Sequence, residues 1–297
     1  MASVKSGGTG AWLAGARLRT LPAAAGPVLA GGGLAWEAGG FAAGPFLAAL
    51  AGALLIQVGT NFSNDYSDFA RGADTADRLG TPRVTQAGLL EPGAVRMGAA
   101  VSFTLAALFG VYLVTVGGWP IVWIGAAGIL AGICYTGGPW PFGYHGLGDL
   151  FVFVFFGPVA VAGTAYVQLS RWAPEAVLAG AGAGALATAI LVVNNLRDRE
   201  TDAAAGKRTL AVRIGPTATR VQYSVLLATA AAVPPVGAAA GLWPPGALLA
   251  SAALLLAVAP LRTVWSHGDP RDLNPALAAT ARATGAYGLL FALGCLP

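Results

Sequence analysis

Two polar clusters interrupt an otherwise oily chain, and both carry the residue types that hold divalent cations. The first reads Asn64-Asp65-Tyr66-Ser67-Asp68. The second, 130 residues later, reads Asn194-Asn195-Leu196-Arg197-Asp198 and runs on to Asp202. Asn64 and Asp68 are four residues apart, as are Asp198 and Asp202, so each pair would share one helical face. Asn61 and Asp65 form a further pair, rotated by about 100° around the same helix. Magnesium takes hard oxygen ligands, commonly one or two carboxylates completed by substrate phosphates and water. Two carboxylate sets facing each other could therefore clamp a diphosphate through bound cations. Arg78, Arg83, Lys207, Arg208 and Arg213 stand close by in sequence to neutralise its oxygens. A diphosphate held this way is a good leaving group, because the charge that grows on it is stabilised. One such run alone reads equally well as a solvated helix end capped by Asn and Asp. That reading does not explain a repeated design, nor why polar residues begin at Gln57 and Thr60, inside the apolar stretch. With two histidines and two cysteines in the whole chain, a His- or Cys-based metal centre lacks ligands.

The elements that must position these clusters are membrane helices. Only 10% of the 297 residues are charged, against about 25% in a soluble domain, so most of the chain is solvated by lipid. Apolar windows near the length of about 20 residues needed to span a bilayer fall at 20–36, 41–63, 97–116, 119–135, 148–169, 175–195, 221–241, 245–264 and 276–296. The expectation is an all-α, polytopic bundle of nine transmembrane helices forming one domain over 1–297, with 1–10 disordered and 11–19 a short interfacial helix. Pro22, Pro27, Pro45, Pro120 and Pro158 are expected to kink spans. A net charge of +4 raises nucleic acid as a partner, but the distribution argues for no nucleic acid. With the N-terminus in the cytoplasm, fifteen of the seventeen Lys and Arg residues fall on the inner side, and the outer loops hold only Arg171. That is the positive-inside bias of a multi-pass protein. Trp36, Trp119, Trp172 and Trp243 fall at the outer span ends, where aromatic residues anchor in the interface. Cys134 and Cys295 lie toward opposite sides, which argues against a disulfide.

The inner connections 64–96, 136–147, 196–220 and 265–275 carry the chemistry-bearing residues. The likeness of 64–96 to 196–220 points to an internal repeat of about four helices, an arrangement that in membrane proteins often sets a site at the repeat interface. His145 reads as a loop hydrogen-bonder. Tyr135 and Tyr144 read either as aromatic surfaces for an acceptor or a carbocation, or as interfacial anchors. Asp149 reads as an orienting carboxylate or a helix cap.

The residues also carry a family resemblance. Asn64-Asp65-Tyr66-Ser67-Asp68-Phe69-Ala70-Arg71-Gly72-Ala73-Asp74, then Arg78-Leu79-Gly80-Thr81-Pro82-Arg83, resembles the first signature of the UbiA superfamily of intramembrane prenyltransferases. Asn194 to Asp202, followed by Gly206-Lys207-Arg208-Thr209-Leu210-Ala211-Val212-Arg213-Ile214-Gly215, resembles the second. Tyr135 to Tyr144 running into Gly146-Leu147-Gly148-Asp149, with Arg17 to Pro22 and Leu273-Asn274-Pro275, extends the likeness over nearly the whole chain. Within the superfamily it is most similar to the branch that prenylates 1,4-dihydroxy-2-naphthoate. The resemblance implies a nine-helix bundle in the cell membrane, a site on the cytoplasmic side and two Mg2+ ions bridging the motifs. It implies a polyprenyl diphosphate donor, with 1,4-dihydroxy-2-naphthoate as acceptor. Asn64, Asp68, Asp198 and Asp202 would hold the metal, with Asp68, Asp198, Asp202 and Lys207 forming the catalytic set. Arg78, Arg83, Lys207, Arg213, Tyr135 and Asn195 would bind substrate. One departure is visible: the superfamily often has a further acid four residues after the second Asp of the first motif, and here that position is Gly72. The rival readings are a relative acting on another aromatic acceptor, such as 4-hydroxybenzoate, and a cation-coupled transporter.

Overall fold

The computed structural model describes residues 7–73 and 79–297, and these are all helix, turn and loop, with no strand. A short helix, α1 (Thr9–Ala16), leads into α2 (Leu21–Glu37), α3 (Ala43–Ala70), α4 (Pro92–Gly117), α5 (Trp119–Cys134), α6 (Gly148–Leu169) and α7 (Pro174–Arg197). The short α8 (Arg199–Ala204) is followed by α9 (Leu210–Ala239), α10 (Pro245–Ser266) and α11 (Leu273–Gly294). Among the described residues seven helices are long and apolar enough to cross a membrane: α3, α4, α6, α7, α9, α10 and the 270–294 stretch that contains α11. The remaining two of the nine expected spans are α2, 17 residues long, and α5, 16 residues long. The chain is a multi-pass membrane protein.

Local sequence sets the helix starts. Proline lies in the first turn of α2, α4, α5, α7 and α10, where its missing N–H costs nothing. Pro22 and Pro120 therefore begin helices instead of bending them, and Pro45 sits in the first turn of α3. Pro158 does mark a break. Around it, residues 155–159 widen to a π-type turn and Gly157 leaves helical geometry at φ −118°, ψ −107°. The exposed backbone there is covered by α7: a Cβ on Gly180 would lie 2.6 Å from Pro158 Cα.

The centre of the bundle is α7, with 78% of its apolar window enclosed, against 17% for α4 at the periphery. It packs against α9, α6 and α11, while α2 packs against α11 and α6, and α3 against α4. Small residues permit these approaches, as is usual between membrane helices. Two expectations change here. Trp243 is no interfacial anchor: it is 3% exposed, its indole N–H donates to Pro234 O at 3.0 Å, and its ring meets Phe291 over the space left by Gly237. Trp36, Trp119 and Trp172 are exposed. Of the segment expected to be disordered, residues 1–6 lie outside the described residues. Residues 7–10 are built in: the Gly7 N–H donates to Leu89 O at 2.9 Å, and α1 starts at Thr9 because Ala11 and Trp12 pack on Phe62 of α3. Both cysteines are free.

Candidate active site

The first polar cluster lies within α3, which continues seven residues past the apolar window and so holds Asn64, Asp65 and Asp68 at fixed helical angles. Their side chains have separate roles. Asp65 fastens the following loop: it accepts from the N–H groups of Val84 (3.1 Å) and Thr85 (3.0 Å) and from the Thr85 hydroxyl, with Arg17 at 3.7 Å. Asn64 and Asp68 face a cavity. Asn64 accepts from Thr136 Oγ1 at 2.9 Å, while Asp68 accepts from Arg83 Nη2 at 3.2 Å and from the Tyr144 phenol at 2.9 Å.

The second cluster forms where α7 ends. Asp198 leaves the helix (φ −92°, ψ 7°) and α8 restarts at Arg199, yet the Asp202 N–H still donates to Asp198 O at 2.7 Å. Asp198 is gripped by the guanidinium of Arg197, through Nε at 2.8 Å and Nη2 at 2.6 Å. The same guanidinium donates to Asn194 Oδ1 and Asn274 Oδ1, and Asn274 Nδ2 donates to Leu79 O. Gly80 lies against it, where a Cβ would be 2.6 Å from Nη2. Arg197 thus joins the ends of α7 and α11 to the loop after the first cluster. From sequence Arg197 is an inner-side cation within the second motif, with no role of its own. Its signal was an arginine sitting inside the Asn-and-Asp run.

Lys207 closes the gap between the clusters, its Nζ lying 3.8 Å from Asp68 Oδ2 and 3.8 Å from Asp202 Oδ1. The turn that delivers it needs positive φ at Gly206 (74°). Tyr144 completes the arrangement, its ring lying beneath both Lys207 (5.3 Å) and Arg71 (5.7 Å), the geometry of cation–π contacts. Its carbonyl accepts from the Arg208 N–H at 3.0 Å. The inner connections 64–96, 136–147 and 196–220 therefore meet at Asp68. Tyr144 is neither an interfacial anchor nor a free stacking surface. His145 is the expected loop hydrogen-bonder, with Nδ1 2.9 Å from Pro141 O and its ring stacked on Trp140. Asp149 lies in the first turn of α6 and accepts from Gln222.

The cavity, about 1490 Å³, exceeds the usual range of small-ligand pockets. Its polar end is lined by Asn64, Asp68, Arg83, Asn195, Arg197 and Lys207, with Tyr135 among them, and the rest of its wall is mostly apolar. Tyr135, at the end of α5, lies partly buried in this wall, its ring edge-on to Phe142 at 5.5 Å. Arg213 is not in the wall; it is exposed, and its Nε donates to Arg208 O. Arg78 lies outside the described residues. Among those described, no three His, Cys, Asp or Glu side chains are gathered as a preformed metal cluster. Asp68 and Asp202 instead flank the Lys207 ammonium, a positive charge between two sets of hard oxygen donors. That donor chemistry fits magnesium.

A bundle of membrane helices around an oily cavity, with two carboxylate motifs at its polar end, defines an intramembrane prenyltransferase. The chain belongs to the UbiA prenyltransferase family, whose model matches residues 24–284. It is 43% identical over 290 residues to a 1,4-dihydroxy-2-naphthoate octaprenyltransferase of Mycobacterium tuberculosis, covering 95% of this chain and 94% of the relative. Identity to the Escherichia coli protein of the same description is 37% over 297 residues, with 96% and 95% covered. Solved structures share the fold. A UbiA homolog from Aeropyrum pernix superposes with a TM-score of 0.69 at 15% identity, over 90% of this chain and 97% of that one. A homolog from Archaeoglobus fulgidus bound to GPP and Mg2+ superposes at 0.60 and 15% identity, over 94% and 99%.

Proposed function

We propose that this protein transfers a polyprenyl group from polyprenyl diphosphate to 1,4-dihydroxy-2-naphthoate with loss of CO2, giving a demethylmenaquinol. The observation that carries the reading is the Lys207 ammonium, on the polar wall of a long apolar cavity, held between Asp68 on that wall and Asp202 just behind it. A diphosphate fits the polar end and a polyprenyl tail the remainder. The described relatives act on this acceptor, which supports the choice over 4-hydroxybenzoate. The cavity with its charged end favours an enzyme over a transporter.

Asn64, Asp68, Asp198 and Asp202 are the residues that would hold two magnesium ions. Bound magnesium supplies charge stabilisation to the diphosphate oxygens. Arg83 and Lys207, with Arg78, bind phosphate oxygens, and Arg213 braces the Lys207-Arg208 turn from outside the cavity. The bond between the first prenyl carbon and the bridging oxygen breaks, and its electron pair leaves with the diphosphate. The resulting allylic cation is enclosed by apolar wall and by Tyr135, whose ring can face positive charge. Asn195, buried on the wall, orients the acceptor. The ring carbon bearing the carboxylate donates a π pair to form the new C–C bond. The electron pair of its bond to the carboxylate then returns to the ring as CO2 departs, so no ring proton has to be removed.

Acceptor labelled at the carboxyl carbon is therefore expected to release one labelled CO2 per prenylation, dependent on magnesium and prenyl diphosphate. A prenylated product that keeps its label would exclude the naphthoate reading while leaving prenyl transfer intact. The site is proposed to face the cytoplasm from the plasma membrane. Cysteines introduced at the exposed positions Ala204 and Thr81 should label only from the cytoplasmic side, and one at exposed Arg171 only from outside. Labelling of Ala204 and Thr81 from opposite sides would sink this topology.

A further inference from the structure

Three of the four inner connections meet at Asp68. The fourth, 265–275, reaches the same mouth through Asn274, the second residue of α11, which lies in the cavity wall. Its amide is used on both sides. Oδ1 accepts from Arg197 Nη1 at 2.9 Å, and Nδ2 donates to Leu79 O at 3.0 Å, 195 residues away along the chain. A guanidinium only donates and a peptide carbonyl only accepts, so the group between them must do both, and a side-chain amide does. An ionised Asp at this position could serve Arg197 but would set a carboxylate against the Leu79 carbonyl.

Leu79 begins a strap, residues 79–83, that carries Arg83. The far end of the strap is fixed by Asp65, which accepts from the N–H groups of Val84 and Thr85 and from the Thr85 hydroxyl. These are charge-assisted bonds, the stronger kind. The near end is held by the neutral amide of Asn274. Between the two pins the backbone has little freedom. Pro82 has a fixed φ and disfavours helical backbone at Thr81 before it. Gly80 lies against Arg197, with no room there for a side chain. Thr81, Pro82 and Arg83 line the cavity, and the strap delivers Arg83 Nη2 to 3.2 Å from Asp68 Oδ2. A shift of Leu79 therefore moves the Arg83 guanidinium.

We infer that Asn274 is a positioning residue for the donor: by holding Leu79 beside Arg197, it sets the strap so that Arg83 meets the diphosphate next to Asp68. The inference rests on the prenyl-transfer reading, in which Arg83 binds phosphate oxygens. Asn274 then acts through Arg83, so its influence is confined to the donor and disappears once Arg83 is lost.

The test is a cycle of four proteins, namely the parent, Asn274→Ala, Arg83→Gln and the double variant, assayed with octaprenyl diphosphate and 1,4-dihydroxy-2-naphthoate. Loss of one neutral hydrogen bond is expected to raise the donor KM about three- to tenfold in Asn274→Ala. The acceptor KM and kcat should change little, because a phosphate contact made equally before and during ionisation shows in KM. In the Arg83→Gln background the same substitution should leave the donor KM within about twofold. An equal rise in both backgrounds, an acceptor KM that rises with the donor's, or a donor KM untouched by Asn274→Ala would overturn the inference. Should Asn274→Ala not fold, Asn274→Asp keeps an acceptor for Arg197 and removes only the donor to Leu79. Trypsin cleavage after Arg83, in detergent and below the unfolding temperature of both proteins, is then expected to be faster than in the parent, and equal rates would overturn the inference. Absence of prenyl transfer by the parent would instead overturn the functional reading, and the cleavage comparison would still decide whether Asn274 holds the strap.

Discussion

Asp68→Asn is expected to lower kcat by about 10²-fold or more, with the protein still folded. Asp68 is 1% exposed and meets Arg83, Tyr144 and Lys207. Its charge is the counterpart of any cation placed between the motifs, and that interaction strengthens as the diphosphate leaves. Asn keeps one oxygen that can accept from Arg83 or Tyr144, so folding suffers least while the charge is lost. Asp68→Ala is the harsher change, because it also removes the buried acceptor to which Arg83 and Tyr144 donate. The check is turnover of the Asn variant beside its thermal unfolding in detergent. Near-normal turnover would remove Asp68 from the reacting centre.

The largest effect on stability is expected at Arg197. It is 5% exposed and holds Asp198, Asn194 and Asn274 at once. Arg197→Leu removes the two-nitrogen partner of the buried Asp198 carboxylate, a change that costs about 3–5 kcal/mol in comparable sites. Arg197→Lys should recover only part of this, since an ammonium cannot reproduce the two-nitrogen grip. The double variant Arg197→Leu/Asp198→Leu should lose less than the two single losses added together, because it removes both members of the pair. Unfolding midpoints in detergent compare the parent with Arg197→Leu, Arg197→Lys, Asp198→Leu and the double variant. An Arg197→Leu protein as stable as the parent would show that the ends of α7 and α11 are held by other means.

Much of this was legible beforehand because membrane helices announce themselves. Apolar windows placed most helices within a few residues, although α9 starts at Leu210, well before its window, and α3 runs on past its own. The four-residue spacing of Asn64 and Asp68 put both on the cavity face. What sequence could not show was division of labour inside a motif. Asp65 and Asp68 are equally acidic, but one turns to backbone N–H groups at Val84 and Thr85 and the other to the cavity, a choice settled by where residues 83–85 fold back. Asp198 and Asp202 are not two rungs of one uninterrupted helix, since the chain steps out of helix between them. Trp243 was misread because its position at a span end said nothing of the gap beside Gly237. Arg213, four residues past Thr209, falls on the outside of the turn.

Lys207 stands between Asp68 and Asp202, so the protein carries its own counter-ion. Carboxylates gathered in a poorly hydrated mouth repel one another, and the ammonium between them offsets that repulsion. A divalent cation held by these carboxylates would take over the role of that internal charge, and the Lys207 ammonium would then be free to turn toward phosphate oxygens. The affinity of such a site would be a difference between two electrostatic states instead of the pull of an uncompensated carboxylate cage.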